Sequence, residues 1–325
     1  MKNKIITFRE SIRSTLSEIL ENDSKAILIG EDIGIYGGAF GVTRGLINKF
    51  SDRIIEPPIS ENSFVGVALG AAIGGYKPIV ELMFSDFVTL AMDQIVNHAA
   101  KISYMYGEQL KAPMIIRLPS GGGRGYGASH SQSLESWFCH IPGLSVLYPS
   151  TPNDARGLLI SATKENSPVI FFENKLSYDV KGEVNENEVI NIGKAKTIKE
   201  GKDITIISYG RMLSIATKVS SELIKSNISV EIIDLRTLKP LDENLIINSV
   251  AKTGRVALLV ESSPFSSVAS EVISLISNKC FYNLKSPTMK FSALDTPIPS
   301  STRLEKNIYP TAEEIVKKIY DNLST

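Results

Sequence analysis

Short apolar runs alternate with amphipathic stretches of helix length from one end of the chain to the other. In the first half, four runs of strand length consist mainly of Ile, Val, Leu and Phe: "AILIG" (26–30), "KPIVEL" (77–82), "APMIIRL" (112–118) and "SPVIFFE" (167–173). Runs that are continuously apolar, rather than alternating, are typical of parallel strands covered by helices on both faces. The pattern therefore predicts an α/β fold.

The stretches between these runs have the length and composition of helices. We predict helices over 60–75, over 87–106 and from about residue 152. Ser60 stands where a helix N-cap is expected, and its hydroxyl can accept a bond from the first turn. The residues after Ser60 are so rich in Gly, Ala and Val that we expect this helix to be buried.

A polar segment separates the two halves of the pattern. Residues 179–203 are charged and lack a helical period, and we predict only a short strand there, at 189–192. The alternation then resumes, with strands predicted over 203–210, 228–235 and 255–261. We therefore predict two three-layer domains with mostly parallel sheets, at 1–180 and 203–325, joined by a linker at 181–202.

Composition narrows the classes of protein. Lys and Arg total 35 and Asp and Glu total 35, so we expect neither nucleic acid nor a membrane surface as a partner. No apolar run reaches the length of a membrane span, and the N-terminal residues lack a signal-peptide pattern. Cys139 and Cys280 are far apart, so we expect buried free thiols in a cytoplasmic protein or in the mature form of an organellar one.

The most conspicuous loop is "SGGGRGYGASHSQS" (120–133), directly after the third strand. Its glycines fit G-x-G-x-x-A, but a dinucleotide site requires a helix that opens at the glycines, and these run into "SHSQS". We therefore disfavour a dinucleotide site. His130 follows the carboxyl end of a parallel strand, where open α/β sheets hold their sites. From spacing alone, it is as much a surface-loop residue as a catalytic one.

Glu61 lies in the first turn of the helix predicted over 60–75. The helix dipole favours a glutamate there by about 0.3–1 kcal/mol, which accounts for the residue without a further role. The dipole does not explain the small side chains that follow, or the aromatic residues of "ELMFSDF" (81–87). A carboxylate beside an apolar, aromatic pocket is an arrangement that shifts a pKa and transfers protons.

In their order along the chain, these motifs resemble the β subunit of the thiamine-diphosphate-dependent 2-oxo acid dehydrogenase first component, the family of pyruvate, branched-chain and acetoin dehydrogenases. The resemblance covers nearly the whole chain and includes "GEDIG" (30–34), "PPISENSFVGVALGAA" (57–72), "ELMFSDF" (81–87), "MDQIVNHAAK" (92–101), "ASHSQSLESW" (128–137), "IPGLSVLYPSTPNDARGLL" (141–159) and "DLRTLKPLD" (234–242). It implies a transketolase-like pyrimidine-binding domain followed by a transketolase C-terminal-like domain.

The resemblance also implies roles for particular residues. Glu61 corresponds to the glutamate that hydrogen-bonds N1′ of the cofactor's aminopyrimidine, so that the cofactor's own amino group can act as a base. Phe87 corresponds to the residue that stacks on the pyrimidine, and Met83 and Ile59 correspond to residues of the same pocket. His130 corresponds to the active-site histidine that faces the substrate and the incoming lipoyl group.

Thiamine diphosphate and Mg²⁺ are the cofactors that the resemblance implies. This chain has no G-D-G, the motif with which family members hold the diphosphate and Mg²⁺. Both are therefore expected from an α subunit, in a heterotetramer of two α and two β chains. The second domain is expected to lie at the subunit interface and to help dock a dihydrolipoyl acyltransferase core. A K⁺ site made of backbone carbonyls is implied at Met114, Ala162, Thr163, Glu165 and Ser167.

The activity implied is thiamine-diphosphate-dependent decarboxylation or cleavage, with reductive acyl transfer to a lipoyl group. "ELMFSDF" and "MYG" favour a pyruvate- or acetoin-type substrate. One alternative is the C-terminal half of a split transketolase, which would carry "AEQN" and "SHQ" in place of "ISENS" and "SHSQS". The other is a non-catalytic scaffold subunit, and the joint presence of Glu61, Phe87 and His130 argues against it.

Overall fold

The computed structural model describes residues 4–323, and the chain divides into two compact units. The first unit comprises the residues up to Ser120 together with Trp137–Ile192. The second comprises Gly121–Ser136 and the residues from Gly193 onward. The glycine-rich loop therefore belongs to the second unit, although the strand that it follows belongs to the first.

The first unit alternates strands and helices. Its regular elements are β1 Lys4–Thr7, α1 Phe8–Asn22, β2 Ala26–Gly30, α2 Ile47–Phe50, β3 Ile54–Ile55, α3 Glu61–Ile73, β4 Lys77–Glu81, α4 Ile102–Met105, β5 Ile115–Ser120, α5 Glu135–Cys139 (which begins in the second unit), β6 Ser145–Leu147, α6 Pro152–Ala162, β7 Val169–Asn174 and β8 Lys181–Val184. In the described part of this unit, β6-β7-β5-β4-β2-β3 form a parallel sheet, and β1 pairs with β8 in an antiparallel ribbon. The core lies between the sheet and helices such as α1 and α6, which contribute Ile12, Leu16 and Leu158.

The second unit repeats the alternation on a smaller scale. Its elements are β9 Lys196–Lys199, β10 Ile204–Ser208, α7 Met212–Leu223, β11 Val230–Asp234, β12 Thr237–Lys239, α8 Glu243–Thr253, β13 Val256–Leu259, α9 Val268–Lys279, β14 Met289–Phe291, α10 Thr302–Glu305 and α11 Ala312–Leu323. Strands β14-β13-β10-β11 are parallel, and β9 lies antiparallel at the edge beside β11. A core of its own, with Ile206, Ala216 and Ile315 among its members, supports this sheet.

The structure confirms the α/β class, the mostly parallel sheets and all seven strands predicted from long apolar runs. The short strand predicted at 189–192 is wrong, because these residues form no regular element. Strands β8 and β9 form in the segment interpreted as a linker instead. Both are stabilised by strands distant in the sequence, β1 and β11, which explains why a polar segment without an apolar run is extended there.

The single helix predicted over 87–106 is also wrong. A 3₁₀ turn spans Ser85–Ala91, a π-helical turn spans Asp93–Ala99, and α4 completes the segment. The segment is rich in β-branched residues, which lose side-chain freedom in an α-helix. Turns of the π type occur frequently at functional sites. The irregular segment also contains Phe87, one of the candidate site residues.

Two expectations on cysteine and membrane segments can also be compared with the structure. Cys280 is buried, as expected, whereas Cys139 is only half-buried. Within residues 4–323, no helix is both long enough and apolar enough to cross a membrane.

Candidate active site

Glu31 and the segment with Met83 and Phe87 follow strands that end at the same edge of the first unit's sheet. Strands β2 and β4 are parallel neighbours, with Gly30 opposite Glu81 at their carboxyl ends. Glu31 directly follows β2, and the segment with Met83 and Phe87 directly follows β4. Parallel strands end at the same edge of a sheet, where open α/β folds bind their ligands. The topology therefore places an acidic residue and an aromatic segment side by side.

Helix α3 brings Glu61 to the same neighbourhood. The helix packs against β2, against β4 and against the 3₁₀ turn that carries Phe87. Glu61 is its first residue and is buried, with 6% of its surface exposed. Ser60 does precede the helix, but the capping bond expected of it is absent. Its hydroxyl donates to Ser63 Oγ at 2.8 Å instead.

The expectation that all of α3 is buried is wrong for one face of the helix. Val67 is 61% exposed and Ile73 is 38% exposed, and Gly70 between them is exposed too. Ile59, which the family resemblance assigns to the pocket, is 74% exposed just before the helix. The buried face of α3, by contrast, carries Glu61 and Phe64.

Aromatic rings of the segment after β4 pack against one another. The rings of Phe84 and Phe87 meet edge to face, with centroids 6.0 Å apart, and Phe84 meets Phe40 in the same way at 5.4 Å. Met83 is half-buried beside them. On the other side, the buried Lys175 places its Nζ 5.0 Å from the centroid of the Phe84 ring. The segment "ELMFSDF" is thus an aromatic cluster in which Phe84 and Phe87 are partly exposed, and the pocket there stays a prediction.

Glu31 is a candidate site residue that the sequence analysis did not single out. It is 3% exposed, and its Oε1 has no hydrogen-bond partner within the described residues. Burial, together with the charges of Glu61 and Asp32, raises the pKa of Glu31 to about 7. The signal was its position in "GEDIG" (30–34), a motif of the family resemblance to which we assigned no role. Because this pKa lies at neutral pH, Glu31 can hold or release a proton there.

A buried ion-pair network anchors the start of the aromatic segment. Arg117 on β5 donates from Nε and Nη2 to Glu173 at 2.7 and 2.9 Å, and from Nη1 to Glu81 at 2.5 Å. Tyr178 donates its hydroxyl to Glu173 at 2.7 Å. Burial raises the pKa of Glu81, and the guanidinium opposes that shift. Because Glu81 is two residues before Met83, the network fixes where the pocket segment leaves the sheet.

His130 lies in the glycine-rich loop of the second unit. It is half-buried, its Nδ1 is 3.0 Å from Ser129 Oγ, and its amide donates to the Gly127 carbonyl at 3.3 Å. The structure therefore places Glu61, Met83 and Phe87 in the first unit, where α3 packs against the turn that carries Phe87, and it places His130 in a hydrogen-bonded loop of the second unit.

Of the candidate K⁺ ligands, Ala162, Thr163 and Glu165 lie at the carboxyl end of α6. Ala162 ends this helix, Thr163 caps it, and the Ala162 carbonyl accepts from the amide of Glu165 at 3.2 Å. Met114 is buried, whereas Ser167 is exposed. A helix C-terminus favours a cation through its dipole, but the K⁺ site stays a prediction.

Comparison with known proteins shows the family of the chain. Residues 4–181 match the family "Transketolase, pyrimidine binding domain", and residues 193–315 match "Transketolase, C-terminal domain". The chain is 38% identical to the Bacillus subtilis acetoin:2,6-dichlorophenolindophenol oxidoreductase subunit beta, over 96% of each chain. It is 41% identical to the Rhizobium meliloti pyruvate dehydrogenase E1 component subunit beta, over 97% of this chain and 69% of that one. It is 40% identical to the Bacillus subtilis 2-oxoisovalerate dehydrogenase subunit beta, over 93% of this chain and 94% of that one.

A solved structure shares the fold. This is a "Split gene transketolase, inactive beta4 tetramer", with a TM-score of 0.82, 23% identity and 98% of each chain covered. At this identity the likeness concerns the fold alone.

Proposed function

Because the chain belongs to the thiamine-diphosphate-dependent, transketolase-like family of 2-oxo acid dehydrogenase first-component β subunits, we propose that it supplies the pyrimidine-binding half of such an active site. The reaction is decarboxylation or cleavage of a pyruvate- or acetoin-type substrate, followed by reductive acyl transfer to a lipoyl group. The observation that carries the proposal is the buried Glu61 at the start of α3, beside Glu31 and the aromatic segment.

The residues present fit an aminopyrimidine. A flat ring that donates and accepts hydrogen bonds needs a carboxyl group at its edge and an apolar surface for its face. Glu61 supplies the carboxyl group, and the half-buried Phe87 and Met83 supply apolar surface. The unpartnered Oε1 of Glu31 is a further buried acceptor that a ring substituent could satisfy.

When bound, thiamine diphosphate supplies the nucleophilic carbon and the electron sink that cleavage next to an oxo group requires. The role of Glu61 is to share a proton with the pyrimidine nitrogen N1′. Glu31, whose pKa is about 7, exchanges protons near neutral pH beside it. Phe87 keeps the ring oriented by stacking. We assign His130 to the substrate and the lipoyl group, where an imidazole can transfer a proton.

We infer that an α subunit provides the diphosphate and Mg²⁺ site. Two observations support this: the chain has no G-D-G, and no group of three or more His, Cys, Asp or Glu in the described residues could hold a metal ion. The beta-subunit names of the relatives support an α partner as well. We propose two α and two β chains, docking of a dihydrolipoyl acyltransferase on the second unit, a K⁺ ion at the end of α6 and a cytoplasmic location.

The experiment compares the purified chain with the chain co-expressed with its α subunit, using 2-oxo acid-dependent reduction of a dye. We expect activity only from the pair, and we expect Glu61→Gln to abolish it while the pair still assembles. Glu243→Gln is the matched control, because Glu243 also lies in the first turn of a helix but is exposed. Activity from the single chain, or near-normal turnover of Glu61→Gln, would contradict the proposal. A panel of pyruvate, acetoin and branched-chain 2-oxo acids identifies the substrate.

A further inference from the structure

The glycine-rich loop is bound by two carboxylates of its own compact unit. Glu305 accepts from the amide of Gly123 at 2.6 Å through Oε1 and from the amide of Gly125 at 2.8 Å through Oε2. Glu261 accepts from the amide of Gly122 at 3.0 Å. Hydrogen bonds to an ionised acceptor are shorter and stronger than neutral ones. Three amides of the loop backbone are thus held by charge-assisted bonds.

Both carboxylates are held rigidly. Glu305 is 2% exposed and is the last residue of α10, and Glu261 is 5% exposed and lies two residues beyond β13. Nε of Arg211 lies 3.5 Å from Oε2 of Glu261. The guanidinium of Arg211 lies over the ring of Tyr309, with its Cζ 5.0 Å from the ring centroid. A buried carboxylate is retained at a high desolvation cost unless donors satisfy it. Here the main donors are the amides of the loop.

Only glycine fits at two positions of the loop beside these side chains. A Cβ at Gly122 would lie 2.2 Å from the hydroxyl oxygen of Tyr309 and 2.8 Å from Glu305 Oε1. Gly125 has a φ of +71°, and its Cβ would lie 2.8 Å from Thr302 Cγ2. The glycines, which invited a nucleotide-binding interpretation, instead allow the backbone to approach these side chains closely.

The bonded part of the loop leads directly to His130. The loop closes at its base, where the amide of Gly121 donates to the Gln132 carbonyl at 3.2 Å. His130 lies between this closure and the segment held by Glu305, and its own amide is bonded to Gly127. The position of the imidazole therefore follows from how the loop backbone is held.

We propose that Glu305, supported by Glu261, is a positioning residue for His130. Its carboxylate binds the loop amides and fixes the backbone from which the histidine faces the substrate. The inference rests on the proposed function only in the role it gives to His130. The bonding of the loop by Glu305 stands apart from that role, and the two can be tested separately.

The first measurement is amide hydrogen exchange, by mass spectrometry, of the α–β complex with Glu305→Ala and Glu305→Gln. Loss of charge-assisted bonds should accelerate exchange in the loop peptide 121–136 about tenfold or more in the alanine variant. The glutamine variant keeps one carbonyl acceptor and should lie between it and the wild type. Exchange in β10 reports whether the unit is folded, and Glu313→Gln, an exposed glutamate of the same unit, is the control.

A second variant reaches the same loop without altering the carboxylate. Gly122→Ala places a methyl group against the Tyr309 hydroxyl and should also accelerate exchange in the loop, while β10 stays protected. If exchange in the loop is unchanged in all three variants, the proposal is overturned.

The second measurement is a double-mutant comparison of turnover. If Glu305 acts through His130, the double variant Glu305→Gln with His130→Ala should turn over no more slowly than His130→Ala alone. Glu305→Gln alone should lower kcat more than it changes the KM for the 2-oxo acid. Multiplicative losses in the double variant would overturn the positioning role. If even the wild-type complex shows no 2-oxo acid-dependent turnover, the proposed function fails, and the exchange rates alone decide whether Glu305 holds the loop.

Discussion

Replacing Glu31 by Gln should make the protein more stable at alkaline pH. Burial raises the pKa of Glu31 from 4.5 to about 7, with a further contribution from the charges of Glu61 and Asp32. A carboxyl group with a higher pKa in the folded state binds its proton more tightly there than in the unfolded chain. Its favourable contribution is therefore present in full below pH 4.5, and it is lost as the pH rises through about 7.

The expected size follows from the two pKa values. Between pH 5 and pH 8, a rise from 4.5 to about 7 lowers the free energy of unfolding by about 2–3 kcal/mol. The residue as a whole is 3% exposed, but the surroundings of its carboxyl group bury it only in part, so solvent screening makes this figure an upper value. Glutamine has a similar shape but cannot ionise, so the variant should not suffer this loss. It should equal the wild type near pH 5 and exceed it at pH 8.

Urea unfolding followed by far-ultraviolet circular dichroism, at several values between pH 5 and pH 8, measures this difference. Glu56→Gln is a suitable control, because Glu56 is an exposed glutamate of the same unit. An equal decline in the wild type and in Glu31→Gln would refute the reasoning. The same variant should lower turnover of the α–β complex, since a gain in stability at the expense of activity is typical of a functional residue.

Two further predictions concern other buried charges. Burial raises the pKa of Glu135 to about 7, although the Tyr209 hydroxyl donates to it at 2.7 Å. Glu135→Gln should therefore reduce the fall in the free energy of unfolding between pH 5 and pH 8, by a similar amount and independently of Glu31→Gln. An unchanged pH dependence of that free energy would contradict this. Arg117→Met leaves Glu81 and Glu173 buried without their partner, and it should lower the free energy of unfolding by about 3–5 kcal/mol at neutral pH. A urea midpoint equal to that of the wild type would show that the network carries no stability.

Most of the fold could be predicted from sequence because strands that are buried on both faces of a sheet appear as continuous apolar runs. Strands such as β2 and β7 are continuously apolar, and their ends were placed within a few residues. Strands β8 and β9 leave no such mark, since each is half-exposed and is stabilised by a partner distant in the chain. The π-helical turn at Asp93–Ala99 differs from an α-helix only in winding, to which the apolar pattern is insensitive.

The candidate residues also differ in whether a local stretch of sequence points to them. Glu61 could be predicted because its helix start, its small neighbours and the aromatic segment all lie within one stretch of sequence. Glu31 could not, because its raised pKa depends on burial and on a carboxylate 30 positions away. Glu305 is further still from Gly125, at a distance of 180 positions along the chain. Apart from its place in the motif "GEDIG" (30–34), Glu31 has no local pattern that distinguishes it from a surface glutamate, and Glu305 has none.

The buried carboxylates differ in what compensates them, and this difference bears on where a ligand could bring a donor. Glu173 is satisfied by Arg117 and Tyr178, and Glu305 is satisfied by two loop amides. Both arrangements are complete without a ligand, so they stabilise the fold or hold the loop. Oε1 of Glu31, in contrast, is buried without a donor in the described residues. A donor from a bound ligand would satisfy this oxygen, and the cofactor ring that we propose beside Glu61 would bring such a donor.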